Sequence, residues 1–210
     1  SLDGQWFATE ISVGRIGFWN LETRRLRGEL EGHQGGVTGV AFGPTGKRLL
    51  SGSVDQTAKI WDLTGSHKAV TLKGHRDIIY AVAFRPDGQQ VATGSMDGTV
   101  RLWRTADGKR EQVLETEGKG IWAIAYSRDG KRIAAGGYSN RVDVWDVRSG
   151  VLLNRCQSSQ GNIFDSVVFG AEGKIVVAGD FNGRLIGWDV ENGREQFNIC
   201  LLYTSDAADE

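Results

Sequence analysis

Cysteine and proline are nearly missing from this 210-residue chain, with two of each against thirty glycines. Two cysteines exclude a disulfide framework and any cysteine-based metal cluster. With so little proline, the turns fall to glycine, which reaches positive φ without steric cost. No run approaches the roughly 18 consecutive apolar residues that a membrane-spanning helix needs. No secretory leader is visible, which favours a cytoplasmic location; Ser1 is not an initiator methionine, so an upstream targeting segment stays open. An excess of charge of either sign is lacking too. The formal net charge is -1, which gives no electrostatic reason to expect a nucleic acid or an anionic membrane as partner.

The last eleven residues, Cys200 to Glu210, lose the pattern described below and resemble a translated sequencing adapter. They are set aside as a non-native tail. Without them the balance becomes +2 and Cys156 is the only cysteine left.

What the chain does have is a beat of tryptophans. Trp19, Trp61, Trp103, Trp145 and Trp188 are separated by 42, 42, 42 and 43 residues, and each closes a strand-like run. Self-similarity at this period, with a Trp-Asp signature, marks a four-stranded blade repeated around an axis. The units run over about 1–31, 32–73, 74–115, 116–157 and 158–199. Residues 33–62 and 75–104 match almost position by position, while 121–146 and 164–189 keep the apolar alternation and the turns. The first unit matches only from its first turn onward, so its opening strand is missing.

Each unit carries three turn signals. The first is Asp3-Gly4, Thr45-Gly46, Asp87-Gly88, Asp129-Gly130 and Glu172-Gly173. The second is Val13-Gly14, Asp55-Gln56, Asp97-Gly98, Ser139-Asn140 and Asn182-Gly183. The third is Thr64-Gly65, Asp107-Gly108, Ser149-Gly150 and Asn192-Gly193. Such dipeptides between alternating apolar runs favour tight hairpins. Three hairpins per period make a four-stranded meander, with strands expected near 37–42, 48–53, 57–62 and 67–72.

These residues resemble the WD40-repeat family. The likeness is carried by Gly32-His33 and Gly74-His75, by Ser51 and Thr93, by Asp55 and Asp97, and by Trp61-Asp62, all recurring in register. The resemblance implies an all-β fold, a β-propeller of four-stranded antiparallel blades used as a binding platform. Propellers usually hold about 4 to 8 blades, and the 199 residues before the tail give about 4.7 units at this period. Against the family's common count of seven, the propeller is expected to be incomplete.

His33, Ser51 and Asp55 have the side chains of a hydrolase triad. The same three, with Trp61, also suit a buried chain in which Asp accepts from His, His meets the hydroxyl, and the hydroxyl accepts from the indole N–H. Repetition favours the structural reading, because His75, Thr93, Asp97 and Trp103 recreate the set one period later. A nucleophile needs one exposed site with an oxyanion hole. The fourth unit has Glu117, Ala135 and Ser139 at the His, hydroxyl and Asp positions, and the fifth has Gln160, Ala178 and Asn182. Those blades are expected to rely on apolar packing more than on a polar clasp.

The resemblance also places a partner-binding rim around the central channel. Carried over by position, it comprises Gly36, Thr38 and Val54 in the second unit and Ile78, Tyr80 and Met96 in the third. Gly120, Trp122 and Tyr138 follow in the fourth, and Ile163, Asp165 and Phe181 in the fifth, with Ser12 alone in the first. Tyr80, Trp122, Tyr138 and Phe181 bring aromatic rings to three successive blades, a composition suited to a peptide or a protein loop; packing between blades is the competing use of Trp122 and Phe181. Arg24, Arg25 and Arg27 cluster on an outermost strand, where charge discourages edge pairing; a phosphate contact is the alternative. His67 has no ligand partner at metal spacing.

The expected function is a non-catalytic scaffold for protein–protein interaction, the sensing or regulatory arm of a larger protein, with no cofactor and no metal. The alternative is a propeller-type enzyme acting at the central channel, where Asp165 is the one lone carboxylate.

Overall fold

In all five units the first turn closes on a glycine at positive φ, near 70° at Gly4, Gly46, Gly88, Gly130 and Gly173. At that angle the chain doubles back within two residues, and the flanking apolar alternation pairs as antiparallel strands. The computed structural model describes residues 1, 3–65, 68–118, 120–158 and 163–200. It contains five antiparallel sheets in sequence order. The first has three strands, β1 (Trp6–Ser12), β2 (Arg15–Asn20) and β3 (Arg25–Glu31). The second comprises β4 (Val37–Phe42), β5 (Arg48–Ser53), β6 (Ala58–Asp62) and β7 (Ala69–Leu72). The third comprises β8 (Ile79–Phe84), β9 (Gln90–Ser95), β10 (Thr99–Arg104) and β11 (Arg110–Glu115). The fourth holds β12 (Ile121–Tyr126), β13 (Arg132–Gly137), β14 (Ser139–Asp146) and β15 (Leu152–Gln157). The fifth holds β16 (Phe164–Phe169), β17 (Ile175–Asp180), β18 (Arg184–Asp189) and β19 (Glu195–Cys200), with one 3₁₀ turn at Ala171–Gly173.

Strands β4, β8, β12 and β16 lie side by side, so each sheet is a blade whose first strand is at the hub. The core lies between blades rather than within them. Leu50, Ile60 and Leu72 of the second blade pack on Ile79, Val91 and Trp103 of the third. The same pattern joins the first blade to the second through Trp61, the third to the fourth through Trp145, and the fourth to the fifth through Trp188. Each tryptophan thus faces the preceding blade. Trp61, Trp103, Trp145 and Trp188 are buried. Trp19 is only half-buried, because no blade precedes its own among the described residues. Its ring lies 5.8 Å from that of Phe7, which is 50% exposed.

Blade packing is close enough to require glycine in the second strand. A Cβ on Gly94 would lie 2.6 Å from Ile121 Cγ2 of the next blade, and one on Gly52 would lie 2.8 Å from Ile79 Cγ2. Cys156 lies in the core between the last two blades, where burial pushes its thiol up to about 12.

The second turn of the fourth blade differs from expectation. Ser139 and Asn140 are strand residues, and the reversal is confined to Tyr138, between β13 and β14. In the second and third blades an aspartate builds this turn by accepting the backbone N–H two residues on, Asp55 from Thr57 and Asp97 from Thr99. Ser139 replaces that aspartate, and the turn contracts. The next strand also starts earlier, pairing Gly137 with Ser139.

Candidate protein-interaction face

The hub strands share one irregularity. Each first strand pairs regularly with the second except for one extra residue, at Thr38, Tyr80, Trp122 and Asp165. A bulge of this kind leaves one residue unpaired and re-aims its side chain. These are four of the rim positions, and Thr38, Tyr80 and Trp122 reach from their bulges to a neighbouring blade. Thr38 Oγ1 donates to the backbone oxygen of Ile79 across the first such gap. Tyr80 packs on Trp122 at a ring separation of 5.5 Å across the next.

Trp122 is the centre of an aromatic cluster. Besides Tyr80, its ring lies 5.6 Å from Tyr138 and 5.4 Å from Phe181, both edge-on. Its indole Nε1 donates to Met96 Sδ at 3.3 Å, a weak acceptor. Gly120 makes room, since a Cβ there would come 3.0 Å from Met96 Sδ and 3.1 Å from Tyr138 Cβ. Three blades therefore meet at one indole, while Tyr138 and Phe181 remain 56% and 59% exposed. Val54 is also exposed, Ile78 and Ile163 are half-buried, and Asp165 is exposed on its bulge. The structure brings Tyr80, Met96, Trp122, Tyr138 and Phe181 into contact. Thr38 and Val54 belong to the second blade, two before that of Trp122, and stand outside this cluster.

The two polar sets are assembled in the second and third blades. Trp61 Nε1 donates to Ser51 Oγ at 2.8 Å, Ser51 Oγ and His33 Nε2 are 2.8 Å apart, and His33 Nδ1 and Asp55 Oδ2 are 2.9 Å apart. The third blade gives 2.9, 2.7 and 2.9 Å for Trp103, Thr93, His75 and Asp97. One proton arrangement satisfies every bond, with imidazole neutral, Nδ1–H donating to Asp and Nε2 accepting from the hydroxyl. Burial drives both histidine pKa values below 6.5, outweighing the aspartate that would raise them. Burial would raise the two aspartates. Hydrogen bonds from the Thr57 and Thr99 hydroxyls, from Gln34 N and Arg76 N, and from the imidazoles overcome it and hold both carboxyls at about 2. Ser51 and Thr93 are fully buried.

The fourth blade packs Trp145 in an apolar cluster, as expected, and adds an ion network. Arg155 Nη1 lies 2.6 Å from Glu117 Oε1 and Arg141 Nη1 3.3 Å from Glu117 Oε2. The buried Asp143 lies 3.5 Å from Arg141 Nε and 4.0 Å from Arg155 Nε. Burial raises the Asp143 carboxyl, against the pull of the two arginines. An ion network therefore links Glu117, at the histidine position, to β14 and β15, while Trp145 packs in the apolar core; sequence reading missed the network because none of its members recurs between units. In the fifth blade Trp188 Nε1 donates to the backbone oxygen of Gln157 at 3.2 Å. Gln160 and His67 lie outside the described residues. Arg25 and Arg27 are exposed on β3, with Arg24 in the turn before it.

Among the described residues no group of three or more His, Cys, Asp and Glu side chains is placed to hold a metal ion, and no helix is long and apolar enough to cross a membrane.

Comparison with known proteins agrees with this architecture. Residues 1–199 match the family model described as the IFT122 first beta-propeller. Over 48 residues, 23% of this chain and 5% of the relative, the sequence is 46% identical to the Periodic tryptophan protein 2 homolog of Neurospora crassa. Over 46 residues, 22% and 14% of the two chains, it is 50% identical to the small ribosomal subunit protein RACK1y of Oryza sativa subsp. japonica. Over 66 residues, 30% and 11%, it is 38% identical to WD repeat-containing protein 1 of Mus musculus. The matches thus span only 5% to 14% of the length of these curated relatives. With successive four-stranded blades, a tryptophan facing back from each third strand and two complete His-hydroxyl-Asp-Trp chains, this chain belongs to the WD40 β-propellers, in the family of the IFT122 first β-propeller.

Proposed function

We propose that the chain is a non-catalytic scaffold that docks a partner protein or peptide on the hub-side rim, through the aromatic cluster around Trp122. The observation that carries this reading is that Tyr138 and Phe181 are more than half exposed while their edges are held against a fixed indole. Aromatic side chains held rigid in the free protein lose little entropy on binding, and Tyr and Trp dominate interaction hot spots. A relative whose name makes it a ribosomal subunit protein accords with a role in assembly. The His-hydroxyl-Asp-Trp chains are assigned to stability: the hydroxyls that a hydrolase would use are fully buried and already hold an indole N–H. The same reading makes the chain the sensing or regulatory arm of a larger protein, without cofactor.

The test compares partners captured by the parent protein with those captured by a Tyr138→Ala/Phe181→Ala variant and a Tyr80→Ala/Trp122→Ala variant, after their melting has been measured. The exposed pair is expected to lose its partners with little change in melting temperature. Equal capture by parent and Tyr138→Ala/Phe181→Ala protein would refute docking at this face.

A further inference from the structure

A second surface, on the outer side of the junction between the second and third blades, concentrates cationic groups that the protein leaves largely unpaired. Arg101 on β10, Arg110 on β11 and Arg76 in the loop before β8 line one cavity of about 260 Å³, with Asp97, Thr99 and Glu115. Arg101 is buried, 6% exposed. Its Nη1 rests over Gly74, where a Cβ would lie 2.5 Å away, and Arg110 Nη1 lies 3.8 Å from the same point.

Little in the protein answers this charge. Arg101 donates from Nε to Thr99 Oγ1 at 3.3 Å, and its Nη2 lies 3.7 Å from Asp97 Oδ2. Its Nη groups make no hydrogen bond among the described residues. Asp97 is already committed to four donors: His75 Nδ1, Arg76 N, Thr99 N and Thr99 Oγ1. Neither Arg76 nor Arg110 forms an ion pair among the described residues. Desolvation lowers the Arg101 pKa, against the pull of Asp97, and the like charges of Arg110 and Arg76 lower it further. The Nη donors of Arg101 border the cavity, where an entering anion can take them up.

The repeat supplies an internal control. At the corresponding positions the second blade has Gln34 and Lys59 in place of Arg76 and Arg101, and Ala69, opposite Trp61, in place of Arg110, opposite Trp103. It also has Thr71 in place of Val113. Lys59 Nζ is satisfied within its blade by Thr71 Oγ1 at 2.8 Å. In the third blade Val113 removes that acceptor just where the Arg101 guanidinium replaces the Lys59 ammonium and Arg110 adds a second cation. The repeat therefore does not require the arginines, and the fold does not satisfy them.

We propose that this cavity binds a tetrahedral dianion, the phosphate of a phosphorylated serine or threonine on a partner polypeptide. Planar guanidinium forks match phosphate oxygens bidentately, and Arg clusters recur in phosphopeptide recognition. The recess suits one side chain; a membrane headgroup would meet a broad basic surface, and here Glu115 stands in the wall. This site is separate from the aromatic rim and stands even if that face binds nothing.

The experiment measures thermal stabilisation of the whole protein by inorganic phosphate and by O-phosphoserine, against chloride at matched ionic strength. An Arg76→Gln/Arg101→Lys/Arg110→Ala/Val113→Thr variant, which carries the second blade's own residues, is measured beside it. Saturable stabilisation by both phosphates is expected, with affinity in the variant weakened by about tenfold or more. Equal stabilisation by chloride, or an unchanged response of the variant, would overturn the proposal. Should the fourfold variant melt early, Arg76→Gln alone, at an exposed side chain, is expected to weaken phosphate binding severalfold, and no change would overturn the proposal. Capture by vesicles containing a phosphoinositide, without binding of a phosphoserine peptide, would overturn the polypeptide source.

Discussion

Trp61 Nε1 and Ser51 Oγ stand 2.8 Å apart in the second blade, and the hydroxyl so engaged is the same one that meets His33. One side-chain oxygen thus ties a strand that packs against the first blade to the loop that enters the second. Trp103 and Thr93 repeat the relationship at 2.9 Å.

Removing either member should cost stability by different routes. Trp61→Ala deletes a side chain packed against Ile16, Phe18 and Leu30 of the first blade, and the expected loss is about 3 to 5 kcal/mol. Ser51→Ala keeps the packing but strands the indole N–H and the imidazole Nε2 out of water, for an expected loss of about 1 to 3 kcal/mol. Urea unfolding of the two variants checks both the size and the order. A Trp61→Ala protein as stable as the parent would remove the chain's structural role.

Acid should destabilise the protein in two stages. The folded-state pKa values of His33 and His75 lie below 6.5, so the unfolded chain binds more protons as pH falls below that value. Their contribution is complete above about pH 6.5 and is lost between there and the depressed folded values. Asp55 and Asp97, at about 2 when folded against 3.8, add a second loss as pH falls from near 3.8 toward 2. Stability measured from pH 8 to pH 3 should therefore begin to fall near neutrality. In a His33→Gln/His75→Gln variant the upper stage should vanish; an unaltered upper stage would assign it to other groups.

The sequence made the blades and the two hydrogen-bonded chains readable for one reason. Their residues recur, and recurrence at a fixed period separates a structural requirement from chance. Strands expected at 37–42 and 48–53 are observed at those limits, while those expected at 57–62 and 67–72 are observed as Ala58–Asp62 and Ala69–Leu72. Features that do not recur were opaque. Glu117, Arg141, Asp143 and Arg155 come from four separate positions of one blade, and only the folded sheet brings them together. The rim positions were legible by register, but not the bulges that aim Tyr80 and Trp122, because a one-residue pairing shift leaves no mark in the apolar alternation.

Exchange of backbone amides should differ between equivalent strands. Strand β6 lies between two blades and carries a tryptophan anchored on a buried hydroxyl. In β18, Trp188 is anchored only on a backbone oxygen at 3.2 Å, and no core cluster joins the fifth blade to another beyond the fourth among the described residues. Local opening draws on such differences in packing and hydrogen bonding. Deuterium uptake should be faster in β18 than in β6; equal protection would mean that the blades unfold as one unit.

The last prediction concerns the turn between the second and third strands of the second blade. Gln56 occupies it at φ 66°, in the left-handed region. At the same place in three other blades stand Gly14, Gly98 and Gly183, at φ 75°, 82° and 72°. A side-chained residue pays about 1 to 2 kcal/mol for that conformation, whereas glycine pays in unfolded-state entropy, about 0.4 to 1 kcal/mol. Gln56 is exposed, so its side chain has little packing to lose. Gln56→Gly should therefore stabilise the protein by about 0.5 to 1 kcal/mol, and Gly98→Ala should destabilise it by a similar amount. Both shifts are readable in chemical denaturation midpoints at constant slope. Loss of stability in Gln56→Gly would mean that Gln56 makes a contact whose loss outweighs the backbone relief.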